Sequence, residues 1–289
     1  MKMPLFEYEA PGSLAEALVL LAASDGGAKV IAGGQSLMPM LAFRLAAPDK
    51  LIDLRRVEGL SGIEVGEQGI RLGAKVRWCD IEGSRDLKIA HPLLVAAVSH
   101  IAHYQIRNRG TVGGSLANAD PASELPGIAV TCEAELHLAS VSGSRVLPAA
   151  DFFLGPLTTA LADDELITEL RFSPGRTGRR WAFEEFARRK GDFAIAGIAL
   201  FYDVTVSGIV ENAHFGVIGA CNAPHRLRNA EAALNGRGMS PAAVREVAKA
   251  AAAEVDPPKD VHASCEYRRA LVELLVERAL LRAAEATDR

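Results

Sequence analysis

Residues Thr111-Val112-Gly113-Gly114-Ser115-Leu116-Ala117-Asn118-Ala119-Asp120 repeat in outline an earlier stretch, Val30-Ile31-Ala32-Gly33-Gly34-Gln35-Ser36-Leu37. Each places paired glycines and a serine behind an apolar, β-branched lead-in. Glycine reaches φ > 0 without strain and lets a backbone approach a ligand closely. Successive amides in such a turn form a concave nest for an anion. A pair of such turns is suited to hold one diphosphate from two sides, which points to a dinucleotide-type cofactor. The glycine pairs alone prove little. The chain has 26 glycines in 289 residues, and about two Gly-Gly pairs arise by chance at that frequency. A tight strand-to-strand turn stays open as the other reading of each stretch. No G-x-G-x-x-G follows a strand and no G-K-[ST] occurs, which argues against a Rossmann site and a P-loop.

Outward from these turns, composition sets the class. The chain is 49% hydrophobic and 24% charged, ordinary for a globular protein with a sizeable core. A net charge of −4 supplies no bulk basic field for nucleic acid. No apolar run approaches the ~20 residues of a membrane span, and Met1-Lys2-Met3-Pro4-Leu5-Phe6-Glu7 lacks a secretory apolar core, so a cytoplasmic location is expected. Cys79, Cys132, Cys221 and Cys265 are scattered, without a C-x-x-C. They read as free thiols rather than as zinc or iron–sulfur ligands.

The periodicities describe an α+β chain. Residues 6–9 read as a strand, and Ser13-Leu14-Ala15-Glu16 as a capping box opening a helix to about Ala23. Strands are expected at 29–32 and 50–54 and a hairpin at 62–74, followed by helices at 77–83, 92–100 and 122–132 and strands at 134–139 and 165–172. The polar, turn-rich run Ser173–Arg180 marks a boundary. Beyond it, residues 181–188, 193–206 and 209–220 predict three antiparallel strands, with a hairpin turn at Ser207-Gly208. Helices follow at 229–234, from Ser240-Pro241 to Glu254, and from Glu266 to Ala286. The C-terminal unit is thus expected to be a three-stranded sheet with helices on one face.

Other constellations are weaker. His100 and His103 lack a third ligand at useful spacing, so no metal site is expected. No G-x-S-x-G surrounds Ser36 or Ser115, which instead suit hydroxyl donors within the nests. Asn118 and Asp120 fit either contacts to a ribose or adenine edge or caps for the next helix. The Arg-rich run Arg171–Lys190 reads as a solvated linker face or as a docking edge. Within Arg189-Lys190-Gly191-Asp192-Phe193, a Gly-Asp turn presents an aromatic ring, which belongs either to the core or against a flat ligand ring.

Together, Ala32-Gly33-Gly34-Gln35-Ser36-Leu37-Met38-Pro39, the long run Gln105–Pro121, Arg189-Lys190-Gly191-Asp192-Phe193-Ala194 and Tyr267-Arg268-Arg269 resemble, in order and place, the FAD-binding medium subunit of molybdenum hydroxylases. That resemblance implies a two-lobed FAD-binding domain of the vanillyl-alcohol oxidase (PCMH) type over residues 1–175, with lobes of about 1–57 and 58–175. A carbon monoxide dehydrogenase flavoprotein C-terminal domain would follow over 176–289. It implies FAD contacts at Lys29, Val30, Ile31, Ala32, Gly33, Gly34, Gln35, Ser36 and Leu37 in the first segment. In the second they fall at Ile101, Thr111, Gly113, Gly114, Ser115, Asn118 and Asp120. Leu161, Lys190, Asp192 and Phe193 complete the set, with Phe193 where some relatives place Tyr against the isoalloxazine. Gln35 stands where carbon monoxide dehydrogenases tend to carry His, which disfavours carbon monoxide as substrate. The implied function is electron transfer: molybdopterin in a large partner and [2Fe–2S] clusters in a small partner feed FAD, within a dimer of heterotrimers. No catalytic acid or base and no metal ligand is then required of this chain. A self-contained FAD-dependent reductase or oxidase on the same fold, or a non-catalytic nucleotide-binding assembly protein, are the other readings.

Overall fold

The computed structural model describes residues 3–285. Its first unit is a three-stranded parallel sheet. Strands β1 (Glu7–Glu9), β2 (Ala28–Ile31) and β3 (Lys50–Asp53) lie in the order β1-β3-β2. Helix α1 (Leu14–Ala22) joins β1 to β2, and Ser13 caps it by accepting from the Glu16 amide at 3.2 Å. The Glu16 carboxylate reaches back to the amide of Gly12 at 2.7 Å, so the expected box closes one residue further out. Ala17, Leu18 and Leu21 on one face of α1 join Ala28, Ile52 and Leu54 in a small core. The short helix α2 (Leu37–Ala42) sits between β2 and β3.

The second unit is a five-stranded antiparallel sheet assembled from distant pieces. The hairpin β4 (Ile63–Gly66) and β5 (Gly69–Gly73) appears where expected. A helical excursion then intervenes: α3 (Trp78–Gly83), α4 (Arg85–Ala90), α5 (Pro92–Val98), α6 (Tyr104–Arg107), α7 (Val112–Asn118) and α8 (Glu124–Thr131). The hairpin β6 (Glu135–Ser140) and β7 (Gly143–Pro148) follows, then α9 (Ala149–Phe152) and the small pair β8 (Phe153–Gly155) and β9 (Thr158–Thr159). Strand β10 (Leu166–Phe172) enters the centre, giving the order β4-β5-β10-β6-β7. Along β10, Ile167, Leu170 and Phe172 face the main core and Leu166 the small core of the first unit, with a register shift between Ile167 and Glu169.

The C-terminal unit is built on β11 (Arg180–Phe186), β12 (Ala196–Val204) and β13 (Val210–Ile218), paired antiparallel as the alternation predicts. Two expectations are corrected here. A fourth strand, β14 (His225–Arg226), pairs with β13, so the sheet has four strands rather than three. Two residues are too short a run to carry a strand periodicity. The sheet is also covered on both faces, not one. Ile198, Leu200 and Tyr202 of β12 pack towards α10 (Arg228–Leu234), α11 (Pro241–Glu254) and α12 (Cys265–Glu285). Ala199 and Phe201 on the opposite face join the core that contains α5 and α8. This double burial is why β12 reads as a nearly continuous apolar run. The expected end of the last helix, Ala286, lies outside the described residues.

The closeness of α8 to this sheet depends on two glycines. A Cβ on Gly127 would overlap the Ile218 side chain, and one on Gly216 would overlap the Thr131 hydroxyl. Polar bonds complete the seam. The Gly219 amide donates to the Pro121 carbonyl at 2.9 Å. The His214 ring Nδ1 lies 2.9 Å from the Thr131 carbonyl. Arg226 pairs with Glu231 at 2.7 Å and with Glu133.

Candidate cofactor site

The first glycine turn connects β2 to α2. Gly34 has φ +72°, a conformation that costs an L side chain roughly 1–2 kcal/mol. The amides of Gly33, Gly34, Gln35 and Ser36 donate to no protein acceptor among the described residues. The Gln35 side-chain amide occupies the Gly33 carbonyl at 3.0 Å. Four consecutive donors with no internal use form the kind of nest that takes an oxyanion. Leu37 opens α2, while Lys29, Val30, Ile31 and Ala32 lead up to the turn, with Lys29 exposed.

The second glycine stretch is not a nest. It is the capped first turn of α7, and its amides are already used. Val112 donates to the Val76 carbonyl at 2.9 Å and Gly113 to that of Ala74 at 2.8 Å. Gly114 donates to Thr111 Oγ1 at 3.2 Å, and Ser115 to the Thr111 carbonyl at 3.0 Å. Gly113 is a packing glycine, since its Cβ would stand 2.7 Å from the Cβ of Ala74. Gly114 is exposed, with Ser115 and Asn118 half-buried nearby, so this stretch offers close approach and a hydroxyl rather than a row of amides. Asp120 Oδ1 accepts from the Ala122 amide at 2.9 Å, the local turn that was one of its two readings.

The two stretches meet through backbone. A Cβ on Gly33 would overlap the Arg109 carbonyl and lie 3.0 Å from the Gly110 Cα. Arg109 Nε donates to the Gly33 carbonyl at 3.4 Å. Behind them Trp78 donates its amide to the Gly110 carbonyl at 3.3 Å. Gly110 has no room for a side chain, because its Cβ would be 2.5 Å from the indole nitrogen of Trp78. Leu161 is half-buried against the core that contains Leu116 and Ala119. The Leu157 amide donates to the Ala119 carbonyl at 3.0 Å, and the Asp163 carboxylate lies 3.0 Å from where a Gly26 Cβ would be.

A second cluster unites Ile101 with Lys190, Asp192 and Phe193. Gly191, at φ +87°, sits so close to Ala102 that a Cβ would be 2.8 Å from its carbonyl oxygen. Arg107 holds that carbonyl at 2.8 Å and the one of Ile101 at 3.0 Å, and pairs with Glu82 at 2.9 Å. Phe193 is 66% exposed, which rules out the core reading of its ring. The loop behind it is fixed by Arg268, a buried guanidinium at the start of α12. It donates to the carbonyls of Ile195 at 2.5 Å and Gly219 at 2.8 Å and pairs with Asp260 at 2.6 Å. The two clusters are linked through the segment 101–110. Within the Arg-rich run, Arg176 and Arg179 both bind Asp203, at 3.3 and 3.0 Å, and Arg171 pairs with Glu169. This favours the linker reading over the docking one for those residues.

Sequence reasoning missed two buried carboxyl groups, Glu124 and Glu185. Glu124, in the first turn of α8, is 6% exposed. Burial, assisted by the charges of Glu185 and Asp120, pushes its carboxyl up to about 8. Glu185 on β11 has a side chain only 3% exposed, and its Oε2 has no hydrogen-bond partner among the described residues. Its Oε1 lies 3.8 Å from Nδ1 of His100, whose ring also meets Phe183 edge-on at 5.0 Å. Only the separation in sequence, 61 positions between the two glutamates, concealed this group.

The comparisons with known proteins agree with this geometry. Residues 4–173 match the family model of the FAD-binding domain in molybdopterin dehydrogenase, and residues 181–283 match that of the CO dehydrogenase flavoprotein C-terminal domain. The chain is 39% identical over 287 residues to the nicotine 6-hydroxylase medium subunit of Paenarthrobacter nicotinovorans, covering 99% of this chain and all of that one. It is 36% identical to the carbon monoxide dehydrogenase medium chain of Hydrogenophaga pseudoflava, covering 96% of each. A solved structure of the carbon monoxide dehydrogenase from that organism superimposes with a TM-score of 0.95, at 36% identity and 99% coverage of both chains. The fold and site define a flavoprotein of the molybdenum hydroxylases. Within that class, the chain belongs to the family of FAD-binding medium subunits.

Proposed function

We propose that this chain is the electron-transfer subunit of a molybdenum hydroxylase complex, holding FAD between the electron source and the terminal acceptor. The observation that carries the reading is the meeting of Gly33 with Arg109-Gly110, which joins a nest of four unused amides to the close-approach surface of Gly114 and Ser115. FAD, when bound, accepts electrons singly and passes them on. The amides of Gly33, Gly34, Gln35 and Ser36 would hold the diphosphate, with the Ser115 hydroxyl and Asn118 approaching from α7. Lys29–Ile31, Leu37, Thr111, Gly113, Asp120 and Leu161 would shape the walls of the cleft. Phe193, exposed on a loop clamped by Arg268, would lie against the isoalloxazine, with Ile101, Lys190 and Asp192 around it. Its ring keeps an aromatic face and offers no hydroxyl for tuning.

In this reading residues 1–175 form the two-lobed FAD domain, divided near 57–58, and 176–289 form the C-terminal domain. The chain works in the cytoplasm with a large molybdopterin subunit and a small [2Fe–2S] subunit, as a dimer of heterotrimers. No helix among the described residues is long and apolar enough to cross a membrane.

The test is cofactor release followed by coexpression. Heat-treated protein should yield FAD, not FMN, in the supernatant at about one per chain, as a single noncovalent site requires. Coexpression with its large and small partner subunits should give a copurifying complex whose substrate bleaches the flavin. Substrate-driven bleaching of the purified chain alone would favour a self-contained reductase or oxidase, and FMN alone would overturn the dinucleotide site.

A further inference from the structure

Residues 101–110 touch the nest at one end and the Phe193 loop at the other. At the far end the Arg109 carbonyl and the Gly110 Cα lie against Gly33, so closely that a Gly33 Cβ would overlap the carbonyl. At the near end the Ala102 peptide lies against Gly191, two residues before Phe193, where a Cβ would stand 2.8 Å from the Ala102 carbonyl oxygen. Both contacts are backbone against backbone, so neither yields to a change of rotamer. Between them the chain takes an unfavourable path. Ala102 sits at φ +42°, in the left-handed region that a Cβ disfavours. Helix α6 is a single turn of four residues, too short to hold its own shape.

Arg107 supplies what local structure does not. Its Nη1 donates to the Ile101 carbonyl at 3.0 Å and to the Ala102 carbonyl at 2.8 Å. Its Nε donates to the Glu82 carboxylate of α3 at 2.9 Å. The guanidinium is shielded, with the Arg107 side chain 18% exposed, so these charge-assisted bonds are only partly exchanged with water. Helix α3 steadies the other end as well. The Trp78 amide donates to the Gly110 carbonyl, and its indole nitrogen fills the space beside Gly110. One helix therefore fixes both ends of the segment, through Trp78 at the nest and through Glu82 and Arg107 at the Phe193 loop.

We propose that Arg107 is a positioning residue for the flavin ring: braced on Glu82, it holds the Ala102 peptide under Gly191 and so sets where Phe193 stands relative to the nest. This deepens, and rests on, the FAD reading above. Arg268 anchors the Phe193 loop from the C-terminal domain, and Arg107 supports it from the FAD domain. A dinucleotide must satisfy the nest and the loop together, so its affinity depends on the span between them. A ligand that carries only the diphosphate end meets the nest alone and does not sense the brace.

The experiment uses the full chain, stripped of flavin and titrated separately with FAD and with ADP. Arg107→Met keeps an unbranched apolar stem and removes every donor. It should weaken FAD about tenfold, the scale of one hydrogen bond to a charged group, and leave ADP affinity unchanged. The visible spectrum of bound FAD should move in Arg107→Met as it does in Phe193→Ala. The double variant should lose little beyond either single one, although the two residues are joined only through Ala102 and Gly191. Glu82→Gln, which keeps an acceptor and loses the charge, should show the same pattern more weakly. Equal weakening of ADP and FAD, a wild-type flavin spectrum and affinity in Arg107→Met, or losses that multiply in the double variant would overturn the proposal. If Arg107→Met fails to fold, Glu82→Gln carries the same comparisons. Failure of the wild-type chain to bind FAD would instead overturn the cofactor reading, whereas tight FAD binding indifferent to Arg107 would overturn the brace alone.

Discussion

The two glycine stretches look alike in sequence and differ in backbone. At Ala32–Ser36 the chain leaves a parallel strand, Gly34 turns to φ +72°, and four amides are left without partners among the described residues. At Thr111–Ser115 the same residue types start a helix, and every amide from Val112 to Ser115 is satisfied within the protein. Gly34 is therefore present for what the backbone must do, and Gly33 and Gly113 for what a side chain would hit. A glycine pair followed closely by serine does not distinguish these cases, because glycine satisfies a conformational demand and a packing demand equally well.

Substitutions separate the two demands. The largest effect is expected at Gly33, where any Cβ meets the Arg109 carbonyl, a backbone atom with nowhere to go. Gly33→Val should part the two stretches, cost at least about 3 kcal/mol in denaturant unfolding, and abolish FAD retention. Wild-type FAD content in this variant would mean the two stretches need not touch. Next comes Gly113, wedged against Ala74 at 2.7 Å. Here Val and Asn should destabilise alike, by about 2–3 kcal/mol, because overpacking is indifferent to preferred φ. At Gly34 the order should split: Val costs about 1–2 kcal/mol and weakens FAD in a titration, while Asn, tolerant of the left-handed region, retains most of both. Equal behaviour of Val and Asn at Gly34, or unequal behaviour at Gly113, would erase the distinction. The smallest effect belongs to Thr111→Ala, which removes the acceptor of the Gly114 amide and should lower stability by about 1 kcal/mol in thermal unfolding.

The same contrast explains what was legible in the chain. Strands β11 to β13 could be read because each residue's face is settled by its immediate neighbours, and the caps of α1 and α11 because Ser13 and Ser240 act on amides three residues away. Helix α7 was hidden because its glycines carry no helical propensity; Thr111 and contacts to Ala74 and Val76 impose the conformation from outside. The insertion of β10 between β5 and β6 brings together residues about a hundred positions apart, and no local pattern encodes it. At the site, the nest was legible because its chemistry lies in one contiguous turn. Arg268, Arg107 and the Glu124–Glu185 pair were not, since each gains its role only from carbonyls or charges on other elements. Arg268 was visible as part of a familiar string, yet its work of holding Ile195 and Gly219 depends on the closed fold.

That clamp also orders events in time. A chain emerges from the ribosome N-terminus first, and completed domains fold as they appear. The strands of the parallel sheet are complete by residue 53 and those of the five-stranded sheet by residue 172, although Leu166 closes the core of the first and Phe201 and Ile218 that of the second. The Phe193 loop is different: the guanidinium that secures its carbonyl arrives only with residue 268. Under the proposed function, translation would make the segment facing the diphosphate long before the loop facing the ring system is secured, so maturation with cofactor would belong to the finished polypeptide.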